Sequence, residues 1–181
     1  MVGQHGTTRI SDGRRMDSAR PGNPEATTAP EERTRPVPAE TRNGPDLHPM
    51  TEKLATGANF ASVATLLPGG AIQNQTLWVT AVDGRIALNT ETHRVKAHNV
   101  ARDPRVTVLI RDEQDPYRYA EVRGEVTGTT TGPRARTQVD ELAQKYLGKD
   151  YPPDDIKSER VILWVTPERQ TLIDQNHGIA D

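Results

Sequence analysis

The chain has 181 residues and a mass of 20.0 kDa, enough for one ordinary domain whose core needs no metal or disulfide staple. Its formal net charge is -2 with a pI near 6.2, so no overall basic field draws it to nucleic acid or anionic lipid, and any phosphate binding has to be local. The absence of cysteine excludes disulfide frameworks, thiolate zinc sites and cysteine nucleophiles, and no run approaches the roughly 20 apolar residues of a membrane span, so a soluble, cytoplasmic protein with no membrane and no nucleic-acid partner is expected.

Residues 1–49 hold seven of the 14 prolines and no aromatic residue, and their arginines and acids balance in number. Such a segment buries too little apolar surface to offset chain entropy, so a disordered tail is expected over 1–49 and the folded domain over 50–181. Met50 to Gly57 reads as a short helix. Asn59 to Leu67 reads as a strand with Phe60, Ala64 and Leu66 on one face and Ala61, Val63 and Leu67 on the other. Both faces are nearly apolar, which predicts burial on both sides, as in a closed barrel. Pro68-Gly69-Gly70 makes a turn, and Ala71 to Val82 is extended. Asp83-Gly84 is a two-residue primed turn, since both residues tolerate positive φ, and it joins Thr76–Val82 to Arg85–Thr90 as a hairpin.

His93 to Arg102 is compatible with a helix that stops by Asp103, because Pro104 restricts the residue before it to extended geometry. Arg105 to Arg111 alternates Val106, Val108 and Ile110 against Thr107 and Leu109, a half-buried strand. Tyr117 to Thr127 alternates again, with Tyr119, Glu121, Arg123 and Glu125 on one side. Thr131 to Leu147 is the clearest helix, with Val139, Leu142, Ala143, Tyr146 and Leu147 on one stripe, Pro133 in the first turn and Gly148 as its stop. Val161–Val165 and Gln170–Ile173 supply the last strands, making the fold mainly β without internal repeat.

The segment from Asn89 to Lys96 delivers small polar groups and two cations where a strand ends and a helix begins. Free backbone N–H groups and the positive end of a helix dipole suit a phosphate, Arg94 supplies a bidentate fork and Lys96 a point charge. Taken alone, such a pair is ordinarily a solvated surface feature. Trp78 on its strand either packs against the core or an interface or stacks on a ligand ring, and Tyr117 and Tyr119 either pair across strands or contact a ligand. Arg111, Arg118, Arg123 and Arg160 sit among acids in a manner typical of surface ion pairs, and are not site candidates. The histidines are not spaced for a metal, and none is expected. There is no GxSxG elbow and no Gly-rich Lys-Ser/Thr loop, which removes serine hydrolysis and P-loop phosphoryl transfer.

From Asn59 to Ile173 the chain resembles the pyridoxamine 5'-phosphate oxidase-like split-barrel family, in its branch that uses the deazaflavin coenzyme F420. The resemblance is carried, in order, by NFASVATLLPGG at 59–70, Trp78-Val79, the Asp83-Gly84 turn, NTETHRVKAHNVARDPRV at 89–106, DPYRYAEVRGEV at 115–126, KYLGKDYP at 145–152 and ERVILWVTPER at 159–169. It implies a six-stranded antiparallel split β-barrel with flanking helices, two copies forming a homodimer with each cofactor in a groove between subunits. Arg94 and Lys96 fall where the family holds the cofactor phosphate, and Asn89 and Thr90 fall on the approach to it. Gln73, Gln75, Thr76 and Trp78 match positions bordering the ring system, although Asn74 to Leu77 departs from the branch's usual Thr-Pro-Val-like stretch. Tyr117 and Tyr119 fall on a strand from which the partner subunit can close the groove.

The resemblance thus implies an F420-dependent oxidoreductase. It passes a hydride from reduced deazaflavin to an electron-poor double bond of a small-molecule substrate, with a proton from water or Tyr119. The catalytic side chain is otherwise unassigned, since the cofactor carries the chemistry. An FMN-dependent oxidase of the pyridoxamine-phosphate type is the first alternative, weakened by the lack of arginine in Asp174–Gly178. A noncatalytic F420- or flavin-binding carrier is the second.

Overall fold

The computed structural model describes residues 40–175. Three helices flank one antiparallel sheet, whose strands are β1 (Glu40–Asn43), β2 (Ala61–Leu66), β3 (Ile72–Leu77), β4 (Val79–Val82), β5 (Arg85–Glu91), β6 (Arg105–Arg111), β7 (Arg118–Thr130) and β8 (Arg160–Asp174). The helices are α1 (Pro49–Thr56), α2 (Val95–Arg102) and α3 (Gly132–Leu147), with one 3-10 turn at Pro153–Asp155. Seven strands run in the order β3-β2-β6-β7-β8-β5-β4, and β1 adds to β8 beyond the end of β5. The expected six-stranded barrel is therefore an eight-stranded sheet among the described residues, and hydrogen bonds do not close it. The two end strands β3 and β4 are consecutive in the chain, so the backbone bend at Trp78 spans the gap that a ladder would fill in a closed barrel.

The expected single run Ala71–Val82 divides at that bend. Thr76 and Leu77 pair with Ser62 and Ala61 of β2, and only Val79–Val82 forms the hairpin with β5. Its turn has Asp83 at φ 50° and Gly84 at φ 71°, the two positive values that a primed turn requires. β2 is buried on one face only, through Ala61, Val63 and Thr65, because the face carrying Ala64 and Leu66 has no layer packed fully over it. β6 has the expected alternation, with Val106, Val108 and Ile110 buried.

The last two expected strands are one. β8 runs unbroken through Pro167, because a register shift at Arg123/Gly124 relieves the ladder where proline has no N–H to give. Gly124 is required there: a Cβ on it would stand 2.1 Å from the Thr166 carbonyl oxygen.

Residues 40–49 depart from the expected tail. Gln170 is fully buried on β8, and its Oε1 accepts from the His48 N–H at 3.0 Å and the Thr51 hydroxyl at 2.8 Å while its Nε2 donates to Asp46 O. These bonds tie the segment before α1 to the sheet and bury Leu47, so the folded body extends at least to Glu40. The remainder of the expected tail lies outside the described residues.

The core has two parts because β5 and β8 are buried on both faces. Leu54 and Ala55 of α1 join Val63, Leu88, Val108, Ile110, Val122 and Val165 on one side. On the other, Ala135 of α3 meets Ala87 and Ile162. α3 ends at Gly148 in the left-handed conformation, as its sequence predicts. Its last turn covers the open edge of β4: the Tyr146 hydroxyl accepts from the Val79 N–H at 3.2 Å, and Lys145 Nζ donates to the Val79 carbonyl. Burial pulls the Lys145 ammonium down to about 8.

Candidate functional site

The site begins where β5 ends. Glu91 is the last residue of β5 and pairs with Arg160, the first of β8. The chain then turns through Thr92 and His93 and enters α2 with Arg94 at the N-cap. The Arg94 N–H returns to the Glu91 carbonyl at 3.0 Å, fixing the turn. Arg94 offers no side-chain cap and the first turn of α2 holds no acidic residue, so no side chain of the helix itself offsets the positive charge of its start.

Around it sit three cations and one carboxylate. Glu91 is only 1% exposed. Its Oε2 accepts from the backbone N–H groups of Lys157 and Ser158 at 2.7 and 2.8 Å, and its Oε1 lies 3.6 Å from both Arg94 and Arg160. Burial pushes this carboxyl up, but the two N–H groups and the charges of Arg160 and His93 outweigh it and hold it below its ordinary value. Lys96 is half-buried; desolvation, then the charges of Arg94 and Arg160, pull its ammonium down, and Glu91 offsets only part of this. Arg160 is buried to 10% side-chain exposure, donates through Nε to Asn89 Oδ1 at 2.7 Å and lies 5.3 Å from the Tyr151 ring centroid. The Ser158 hydroxyl meets His93 Nδ1 at 2.7 Å, closing the loop from β8 against the basic turn.

Three like charges held around one already hydrogen-bonded carboxylate is an arrangement that an anion relieves. The donor set, two guanidinium groups, an ammonium and an unneutralised helix start, fits a phosphate group.

The other predicted residues fall in three places. Gln73 is half-buried on β3 and accepts from Asn99 Nδ2 of α2 at 3.2 Å, which ties it to the helix that Arg94 caps; Gln75 and Thr76 are exposed on the same strand. Trp78 stacks on Tyr146 at 5.3 Å with the rings 5° from parallel, and meets the edge of Tyr151, so one face is taken by packing. Asn89 does not line an approach. Its Nδ2 donates to Ala135 O and Gln138 Oε1 of α3 and its Oδ1 is taken by Arg160, because strand alternation turns it to the α3 side. Thr90, buried on the opposite face of β5, is likewise withdrawn.

Tyr117 is 61% exposed, and Tyr119 pairs with Ile173 at the far end of β8 from Arg160. Roughly 40 Å of strand separates the two ends at ordinary rise. One subunit therefore does not bring the tyrosines to Arg94 and Lys96.

Sequence reasoning missed Glu91 and Arg160. The pairs Arg111–Glu113, Arg118–Asp112 and Arg123–Glu121 fit the surface description given to them, whereas Arg160 faces a buried carboxylate on another strand. Only the pairing of β5 with β8 reveals it. Elsewhere, an open groove of about 250 Å³ lies over β2, β6 and β7, lined by Ala64, Leu66, Ile72, Arg105 and Arg123, and it shares no residue with the basic turn. Among the described residues no cluster of three or more metal-ligating side chains occurs, and no helix is long and apolar enough to cross a membrane.

Comparison with known proteins places this geometry. Residues 47–174 match the family model described as pyridoxamine 5'-phosphate oxidase. The structure of an F420 reductase is 28% identical with a TM-score of 0.61, over 68% of this chain and 98% of that one. A conserved hypothetical protein of Mycobacterium tuberculosis (20% identity, TM-score 0.54, 73% and 86% of the two chains) shares the fold. General Stress Protein 26 of Bacillus anthracis (16%, 0.52, 69% and 92%) does so too. No curated protein sequence matches. The family match spans both the sheet and the basic turn: the chain belongs to the pyridoxamine 5'-phosphate oxidase family of oxidoreductases, which work with flavin-type cofactors.

Proposed function

We propose that the protein is an F420-dependent oxidoreductase, acting as a homodimer with the cofactor in a groove between subunits. The observation that carries the reading is the excess of positive charge at the start of α2, where Arg94 and Lys96 stand beside a first turn that has no acidic residue; in this reading the two cations hold the phosphate and the N–H groups of Val95 and Lys96 complete its cradle. The 28% identity to an F420 reductase supports deazaflavin over FMN. When bound in reduced form, this cofactor supplies a hydride for an electron-poor double bond of a small substrate.

The chain's own part is to bind, orient and shield. Gln73, Gln75 and Thr76 of β3 border the ring, with Gln73 fixed by Asn99. Trp78 holds the bend at the rim, braced by Tyr146. Tyr117 and Tyr119 close the groove from the second subunit, and Tyr119 or water donates the proton.

Titration with F420 and with FMN, at low and high salt, tests the reading. F420 carries further negative charges beyond its phosphate, so its binding weakens with salt more than FMN binding does, whereas Lys96→Ala weakens both through the phosphate they share. For Lys96→Ala the expected loss is about tenfold, the low end for a charge-assisted contact at a half-exposed site. Equal affinity for the two cofactors, insensitive to both changes, overturns it.

A further inference from the structure

We propose that Arg160 is a third direct ligand of the bound phosphate, supplied by β8, and that Glu91 is a resident counter-ion that the phosphate displaces from both arginines. The inference rests on the reading that Arg94 and Lys96 hold a phosphate, and is indifferent to which cofactor carries it.

The first observation is the state of the guanidinium donors. Glu91 spends its Oε2 on the backbone of Lys157 and Ser158. Its Oε1 stands 3.6 Å from Arg94 and 3.6 Å from Arg160, close enough to attract both and too far to hydrogen-bond either. Arg160 has five N–H donors, and among the described residues only its Nε makes a hydrogen bond, to Asn89. The terminal nitrogens that make no hydrogen bond are not sealed from solvent, so they can take an acceptor that enters from outside.

The second observation is position. Arg94 and Arg160 approach the same oxygen of Glu91, so their terminal nitrogens are no farther apart than twice that contact, a span that one phosphate bridges with two oxygens. Lys96 lies near enough for the charge of Arg160 to act on it. Arg160 is also held in advance: Asn89 fixes its Nε, Tyr151 lies beneath its plane, and Asn89 is anchored in turn to α3. A preorganised fork loses little freedom when the anion arrives.

The third is charge. Three cations less one carboxylate leave two positive charges, which matches a dianionic phosphate, or a phosphate ester with a second acid beside it, better than a lone monoanion.

The test compares wild type, Arg160→Gln, Arg160→Lys and Arg94→Ala. The probes are F420, FMN, inorganic phosphate and the deazaflavin chromophore without its phosphate, titrated calorimetrically over a range of salt. Arg160→Gln is expected to weaken the phosphate-bearing probes 10- to 100-fold, as Arg94→Ala does, and to flatten their salt dependence by about one charge. The phosphate-free chromophore is expected to bind as before, and Arg160→Lys to recover part of the loss. Wild-type affinity for phosphate-bearing probes in Arg160→Gln overturns the proposal and leaves the F420 reading standing, as does equal weakening of the phosphate-free chromophore. Binding of FMN but not F420, with the Arg160 effect intact, removes the F420 reading and supports this one. A wild-type protein that binds no phosphate-bearing probe overturns both. Where Arg160→Gln fails to fold, the charge-keeping Arg160→Lys carries the test, with selective weakening of phosphate-bearing probes as the supporting result and no change as the overturning one.

Discussion

Replacing Glu91 by glutamine removes the counter-ion of the basic site while keeping its shape. In the wild type one oxygen accepts two backbone N–H bonds and the other faces two guanidinium groups. The amide can keep its oxygen toward Lys157 and Ser158, but its NH2 then points at Arg94 and Arg160. A hydrogen bond to a neutral acceptor is worth about 1 kcal/mol less than one to a carboxylate, so the two N–H bonds lose about 2 kcal/mol. The uncompensated arginines bring the total to about 3 kcal/mol, the lower end for breaking a buried charged pair. At roughly 2–4 °C per kcal/mol for a domain of this size, Glu91→Gln melts about 6–12 °C below wild type at neutral pH by circular dichroism.

The pH dependence carries the sharper sign. The Glu91 carboxyl in the folded protein lies below its ordinary 4.5. Its contribution is therefore complete above that value and is lost as pH falls through the lower, folded one. The gap between wild type and Glu91→Gln narrows below pH 4.5 and closes in stronger acid. Phosphate added at neutral pH raises the melting temperature of Glu91→Gln more than that of wild type, since the site gains one positive charge. Equal melting temperatures at neutral pH, or a gap that persists unchanged through the acid range, refute the account of Glu91 given above.

Two further perturbations test how the fold holds the site. Gly124→Ala drives a methyl group to 2.1 Å from the Thr166 carbonyl oxygen, so the β7–β8 ladder has to part at its bulge; the cost is about 3 kcal/mol or more, read as a fall in the urea midpoint, and an unchanged midpoint contradicts the close approach. Tyr146→Phe removes the acceptor of the Val79 N–H and the donor to Asn59 O, for about 1–3 kcal/mol, and the Val79 amide is expected to exchange with solvent faster; protection equal to wild type shows that the edge of β4 is satisfied otherwise.

What could be read in advance was whatever short stretches of chain determine by themselves. Asp83-Gly84 forces its turn through positive φ at two residues, Gly148 ends α3 through one, and the alternation of Val106, Val108 and Ile110 fixes which side of β6 is buried. What escaped depended on partners remote in sequence. The order of residues 40–49 comes from Gln170, more than a hundred positions away, and a polar, proline-rich segment carries no local trace of such an acceptor. The continuity of β8 through Pro167 needs Gly124 on the neighbouring strand, which the residues around the proline do not show.

The candidate site divides along the same line, and the division explains its errors. That Arg94 and Lys96 stand at the start of α2 was legible because a strand end, a turn and a helix start follow one another within a few residues, which is also why the helix dipole and the two cations coincide. Asn89 and Thr90 belong to the same stretch and looked equivalent to them, yet a strand buried on both faces spends each side chain on a different layer, so contiguity misled there. Arg160 failed in the opposite direction: its neighbour Glu159 suggested a surface ion pair, whereas its partners Asn89 and Glu91 lie about seventy residues earlier. Charge patterns along the chain show where cations gather. The register between β5 and β8 decides which of them come together in space, and that register places a buried arginine across from a buried glutamate at the mouth of the basic turn.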